Sequence, residues 1–198
     1  MKKHNILKYL RLAFYIVTIG VMWYIPVKKI IAFEAPGTQP LTVDFNIQGY
    51  DPYDPGRGHY LAIRFVPIKL NKEKFKNVYS QRYYIVLKQG KDGFAEIAEV
   101  RENRPERGYY IQCLINSIYD YKRKKNYYEV SDFPWKRFYI NEELARPAEQ
   151  ILQKAVVKSD CRLRVKLYEH GGSAVEDLLI NGKSIRELAK ESLKGKRY

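Results

Sequence analysis

The chain has 198 residues, 45% of them hydrophobic, and carries a formal net charge of +14. This length and composition allow one domain with an appendage and exclude a chain that is disordered throughout. Tyrosine is over-used, with 18 residues, which favours strands over long bundle helices and predicts a mainly β domain of the α+β class.

The first element is an uncharged segment from Leu12 to Val27. It is slightly shorter than the roughly 20 residues that a spanning helix needs, but flanking basic side chains can snorkel and extend the span. We therefore predict a transmembrane anchor over residues 1–33 and a linker over 34–40. The flanking basic residues leave a net charge of +8 for the rest of the chain: Lys2, Lys3, Lys8, Arg11, Lys28 and Lys29.

A cleavable signal peptide is the alternative for the N-terminus, because it also places an apolar stretch after basic residues. Bulky and cationic residues follow Tyr24 where small residues would precede a cleavage site, so the sequence favours an uncleaved anchor. Four basic residues precede the span and two follow it closely. By the positive-inside rule, this asymmetry places the N-terminus in the cytoplasm and residues 41–198 outside it.

Residues 41–198 have the pattern of an antiparallel β-rich domain. Apolar and polar residues alternate from Leu41 to Gln48, which is typical of a half-buried strand. A Gly-containing turn between Arg82–Lys88 and Phe94–Val100 predicts a hairpin. Further strands are predicted over residues 60–68, 109–119, 127–130, 137–140, 156–169 and 174–180.

Two short helices are predicted within this domain. Asn141 can cap a helix that extends to about Ala155, because its side chain can accept free backbone N–H groups. Pro147 either kinks this helix or begins a shorter one. Ser184 and Glu187 form a capping box that opens a final helix.

One loop, between Gly49 and the strand that starts at Tyr60, is dense in turn residues. Two Asp-Pro steps are followed by two glycines, and this chemistry predicts a tight loop that holds side chains at fixed positions. The loop and the first residue of the strand provide the candidate binding residues: Asp51, Asp54, Arg57, Gly58, His59 and Tyr60.

The run from Gly58 to Phe65 resembles the signature of the GDYXXLXY family of bacterial membrane-anchored proteins. The loop before it, from Asp51 to Arg57, matches the family's Asp-Pro run, although His59 stands where the signature has Asp. The segments 138–142 and 179–183 are similar to two later family segments. The resemblance implies a bacterial cytoplasmic membrane protein and suggests a multi-pass membrane protein as its partner.

Asp51, Asp54 and His59 are the best candidates for chemistry, because their oxygens and imidazole could bind a metal. A metal site needs three or four convergent ligands, and no second cluster is spaced to complete one. The alternative is a structural role without a ligand, in which the Asp residues cap their own turn and His59 faces solvent. We expect no metal and no cofactor. Arg57 either presents its guanidinium to an anion or is held by the Asp residues.

The only histidines are His4, His59 and His170, so a Ser/His/Asp or Cys/His site is hard to assemble outside the membrane. The sequence therefore predicts a non-catalytic accessory or envelope interaction module rather than an enzyme, with a membrane as partner and no nucleic acid. The alternative function is an envelope hydrolase that acts on peptide or glycan through Asp51, Asp54 and His59. A third candidate function is the binding of an anionic polymer.

Two further features have two interpretations each. Cys113 and Cys161 either pair as a disulfide or are buried thiols that act as small hydrophobes. The basic run Lys122–Lys125 is either a solvated turn or a contact for anionic headgroups or an acidic partner.

Overall fold

The computed structural model describes residues 2–34, 39–49, 60–70, 80–120, 124–158 and 160–195. The chain divides into two compact units, Met1–Gln39 and Pro40–Tyr198. The first unit contains one helix, α1 (Lys2–Glu34), with Pro26 inside it. The window Lys8–Lys28 has 21 residues with a mean hydropathy of 1.6 and no buried residue, so α1 is long and apolar enough to cross a membrane.

The second unit is rich in strands, and every ladder between two strands in its described part is antiparallel; one isolated bridge, Asp44 to Phe94, is parallel. This confirms the predicted α+β, mainly β fold. Its helices are α2 (Glu142–Lys158) and α3 (Ile185–Gly195). Its strands are β1 (Leu41–Gly49), β2 (Tyr60–Ala62), β3 (Arg64–Phe65), β4 (Ile68–Leu70), β5 (Arg82–Gln89), β6 (Ala95–Arg101), β7 (Tyr110–Asp120), β8 (Lys125–Ser131), β9 (Arg137–Tyr139), β10 (Cys161–Leu167), β11 (Ser173–Ile180) and β12 (Lys183–Ser184).

The described strands of the domain form two five-stranded sheets and one two-stranded ladder. The first sheet has the order β12-β11-β10-β1-β3, the second has β4-β8-β7-β5-β6, and β2 pairs with β9. The alternation in β1 puts Val43 and Phe45 in the core, directly opposite Val165 and Leu163 of β10. The same period-two pattern that predicted both strands therefore sets their buried faces.

The predicted continuous strand over residues 60–68 is wrong, because the segment forms three short strands. Each strand pairs with a different neighbour: β2 with β9, β3 with β1, and β4 with β8. Pro67, which has no backbone N–H to donate, lies between β3 and β4. The strand predicted over residues 156–169 is shorter in the structure: β10 covers Cys161–Leu167, since α2 continues to Lys158.

Both predicted helix starts are present. The Asn141 Oδ1 accepts a hydrogen bond from the Glu143 backbone N–H at 3.1 Å, and the Ser184 Oγ accepts one from the Arg186 backbone N–H at 3.2 Å. Pro147 lies inside α2, so the interpretation of a shorter helix that begins at this residue is wrong. The two helices bury small and aliphatic side chains in the core: Ala148, Leu152, Ile185 and Ala189.

Cys113 and Cys161 are free and buried, as the second interpretation of these cysteines predicted. Burial raises the pKa of the Cys113 thiol to about 12, and it also raises the pKa of the Cys161 thiol. A thiol with a raised pKa stays protonated at neutral pH and is a poor nucleophile. Both residues therefore contribute to packing.

The first strand also contacts the β5–β6 hairpin of the other large sheet. The Asp44 backbone N–H donates to the Gly93 carbonyl oxygen at 3.1 Å, and the Gln89 Nε2 donates to the Thr42 carbonyl oxygen at 2.9 Å. The Asp44 carboxylate accepts two hydrogen bonds from Arg164 of β10, from Nε at 2.8 Å and from Nη2 at 3.0 Å. The hydrogen bonds of Thr42, Asp44 and Gln89 connect the two large sheets, whereas the Asp44–Arg164 pair lies within the first sheet.

Candidate functional site

The predicted binding residues are divided by the limits of the described chain. Asp51, Asp54, Arg57, Gly58 and His59 lie outside the described residues, so the roles predicted for the loop stay predictions. The sixth, Tyr60, is the first residue of β2 and is buried.

Tyr60 lies in β2, the first strand of the motif, and connects it to β9. It pairs with Tyr139 across the ladder, and their ring centroids are 6.0 Å apart. The Arg137 guanidinium lies 4.9 Å from the Tyr60 ring centroid, which is within the range of a cation–π contact. The aromatic side chain of the motif is therefore covered by a basic residue of its partner strand.

A groove with a volume of about 600 Å³ runs along β9. Six of its lining residues are consecutive in the chain, and the other two come from β11 and from the first turn of α3. We call it the basic groove, and it is lined by Pro134, Trp135, Lys136, Arg137, Phe138, Tyr139, Val175 and Arg186.

Aromatic packing holds the segment before β9 in place. The Trp135 ring centroid lies 5.1 Å from that of Phe45 and 6.3 Å from that of Phe65. The Trp135 Nε1 donates a hydrogen bond to the Ser173 Oγ at 3.0 Å. Because Phe45 and Phe65 belong to the first large sheet, the groove is built on the rigid core rather than on an isolated loop.

The charged side chains that line the groove are all basic. Lys136 forms an ion pair with Asp132 at 2.5 Å, and Arg186 forms one with Asp177 at 2.9 Å. Both carboxylates lie outside the lining, and none of the described residues that line the groove is acidic. Two of the three cations that line the groove are therefore paired with carboxylates that do not line it.

Asp132 is the acidic partner of Lys136. It also accepts a hydrogen bond from Arg82 of β5, and its backbone has a φ of 56°, in the left-handed region. The hydrogen bond from Lys136 lowers the pKa of the Asp132 carboxyl, and the charges of Lys136 and Arg82 add to this effect against partial burial. Asp132 is therefore ionised at neutral pH.

Two smaller cavities, of about 440 and 380 Å³, flank the same segment. The smaller one is lined in part by motif residues of β2 and β3, from Ala62 to Phe65, and Lys136 lines all three cavities. The family motif and the basic groove therefore belong to one surface region around Lys136.

The groove in this region is lined mainly by basic and aromatic side chains. Over the described residues there is no group of three or more His, Cys, Asp or Glu side chains that could hold a metal ion. Basic and aromatic side chains together favour an anionic ligand with an apolar part. Sequence analysis missed Trp135 and Lys136, although the adjacent aromatic and basic residues at 135–137 were a local signal.

A family model described as GDYXXLXY protein matches residues 22–178. Comparisons with curated proteins and with solved structures find no match. The matched range begins within α1, includes β2, β3 and all of β9, and ends in β11. The chain therefore belongs to the GDYXXLXY family.

Proposed function

We propose that this chain is a single-pass membrane protein that acts by binding and catalyses no reaction. The observation that carries the membrane part of the proposal is α1, because every residue of its 8–28 window is exposed. Large apolar side chains point away from the helix all round, and Phe14, Ile16 and Trp23 are examples. Leaving apolar surface in water costs about 25 cal/mol per Å², whereas a lipid bilayer covers it.

The proposed orientation has the N-terminus in the cytoplasm and residues 41–198 outside a bacterial cytoplasmic membrane. The excess of basic residues before the span supports it. Membership of the family supports the location, as the motif resemblance suggested.

The proposed binding surface combines the motif loop, strand β2 and the basic groove. Tyr139 supports this choice, because its side chain is 62% exposed although it follows the buried Phe138. Exposed aromatic and basic residues are enriched in protein interfaces, since they combine apolar area with hydrogen bonding. We propose a membrane protein as the partner, in agreement with the resemblance.

Site-specific labelling tests the anchoring and the orientation. The two natural cysteines are buried, so a membrane-impermeant maleimide should label them poorly. We expect Glu102→Cys, on the exposed turn after β6, to be labelled in intact cells, and Lys3→Cys to be labelled only after lysis. Release of the chain by alkaline carbonate would contradict anchoring, and the opposite labelling pattern would contradict the orientation.

Co-purification in a mild detergent tests the binding role. A tagged full chain should retain a membrane protein, and Tyr139→Ala should reduce its recovery. Tyr119→Ala is the matched control, because Tyr119 is another exposed tyrosine, 47% exposed, on β7. Recovery of the chain as a lone monomer, or equal losses with both variants, would contradict the proposal.

A further inference from the structure

We infer that the basic groove binds the anionic headgroup of a membrane phospholipid, and this inference rests on the membrane anchoring proposed above. The bound group would be the phosphodiester of a headgroup that carries no cation of its own, together with the glycerol part of the lipid; the cationic choline of phosphatidylcholine would be repelled by the basic side chains. The groove would then be a lipid site in addition to any protein partner.

The first step of the argument is charge. Lys136, Arg137 and Arg186 line the groove, and none of its described lining residues is acidic. Ammonium and guanidinium groups are the side chains that bind phosphate oxygens most strongly. The groove is therefore complementary to a negatively charged group.

The second step is the apolar part of the lining. Val175 and the accessible part of Trp135 supply apolar surface beside the cations, and Tyr139 is exposed. The Phe138 ring is buried, 4.5 Å from the Arg186 guanidinium. Inorganic phosphate would leave this surface in water, whereas the glycerol and first methylene groups of a lipid would cover it. A volume of about 600 Å³ is in the usual range for a bound organic molecule.

The third step is the choice between a lipid and an acidic polypeptide. A chain held by its own membrane helix meets headgroups at a high effective concentration, so even a weak site is occupied. Tyrosine, tryptophan and basic side chains are also the combination found at membrane interfaces. These observations favour the lipid, and an acidic peptide becomes an outcome of the test.

Tryptophan fluorescence of the full chain in nanodiscs tests the inference. The sequence has two tryptophans, so Trp23→Phe leaves Trp135 in the groove as the only reporter. Nanodiscs of phosphatidylcholine with increasing phosphatidylglycerol should give a saturable change in Trp135 emission. Glycerol phosphate, inorganic phosphate or hexaglutamate, added to nanodiscs of phosphatidylcholine alone, should give no comparable change.

Two variants should shift the half-saturating phosphatidylglycerol content in opposite directions. Lys136→Gln should raise the half-saturating phosphatidylglycerol content by about threefold or more, because it removes a phosphate ligand. Asp132→Asn should lower this content by about threefold, because it releases Lys136 from its ion pair. Lys88→Gln and Glu96→Gln are the matched controls, since they break an exposed Lys–carboxylate pair outside the groove, and they should change nothing.

Several results would overturn the inference. They are equal emission changes with and without phosphatidylglycerol, an equal response to hexaglutamate, and a response that neither Lys136→Gln nor Asp132→Asn shifts. Near-ultraviolet circular dichroism of each variant shows whether it is folded. If carbonate extraction shows anchoring but Trp135 does not respond, only this inference fails. If Trp135 responds to phosphatidylglycerol but carbonate releases the chain from membranes, the proposed anchoring fails.

Discussion

At the scale of single residues, Asp44 is the one charged side chain that is buried in the described part of the chain, with 5% exposure. Its carboxylate holds Arg164, whose pKa it raises through the hydrogen bonds between them. We expect Asp44→Asn to lower the free energy of unfolding by about 2 kcal/mol. This is less than the ~3–5 kcal/mol for a fully buried pair, because the Arg164 side chain is 39% exposed and water can solvate it.

Urea unfolding of the full chain in detergent measures this loss. Glu96→Gln is the control, because it removes an ion pair with Lys88 in which both side chains are about half exposed. The control should change the free energy of unfolding by less than about 0.5 kcal/mol. Equal effects of the two substitutions would show that the Asp44–Arg164 pair does not stabilise the fold.

Asp132 gives a prediction for the dependence of stability on pH. Its pKa in the folded chain is lowered, chiefly by the hydrogen bond from Lys136, so its contribution is present above its unfolded-state pKa of about 3.9. The contribution is lost as the pH falls through the lower, folded-state pKa. Asp132→Asn should therefore lower the melting temperature at pH 7, and the difference from the parent chain should shrink below about pH 4.

The substitution to Asn isolates the charge in this experiment. Asn tolerates a φ of 56° about as well as Asp does, so the backbone at residue 132 stays unstrained. A difference in melting temperature that stays constant from pH 7 to about pH 3 would assign the effect to packing instead of charge.

At the scale of elements, the start of α2 depends on one side chain. Asn141 accepts the Glu143 backbone N–H, which otherwise has no partner within the helix. Asn141→Ala should lower the free energy of unfolding by about 1 kcal/mol, and Asn141→Asp should leave it nearly unchanged. Chemical denaturation of both variants measures the difference. An Ala variant as stable as the parent would show that tertiary packing alone holds this end of α2.

Elements with a local signature could be predicted from the sequence. The alternation in β1 and β10, the β5–β6 hairpin and the caps at Asn141 and Ser184 are all encoded within a few residues. The division of residues 60–70 into three strands could not be predicted in this way. It depends on which distant strand each short piece pairs with, and local propensity does not contain that information.

The basic groove was missed for the same reason. Trp135 and Lys136 are close to the predicted strand at 137–140, but Val175 and Arg186 reach the groove from elements about 40 to 50 residues further along the chain. Only the sheet topology brings them together. The motif residue Tyr60 was predicted as part of a binding surface, and the fold places it under Arg137, at one side of this groove.

At the scale of the whole molecule, the described core lies within the second unit. All its buried residues fall between Val43 and Ala189, within Pro40–Tyr198. A chain of this length can bury enough apolar surface to fold alone. In the first unit, every residue of the Lys8–Lys28 window of α1 is exposed. Anchoring and folding are therefore expected to be separable properties of the chain.

Deletion of residues 1–39 tests this separation. The shortened chain should be recovered from the aqueous fraction without detergent, keep the near-ultraviolet circular dichroism of its buried aromatic residues and unfold in one cooperative transition. Its unfolding midpoint should be close to that of the full chain, because none of the described core residues lies within residues 1–39. A shortened chain without near-ultraviolet signal would mean that α1 is needed for the tertiary structure. In that case the segment Leu12–Val27 would act as part of the fold and not only as an anchor.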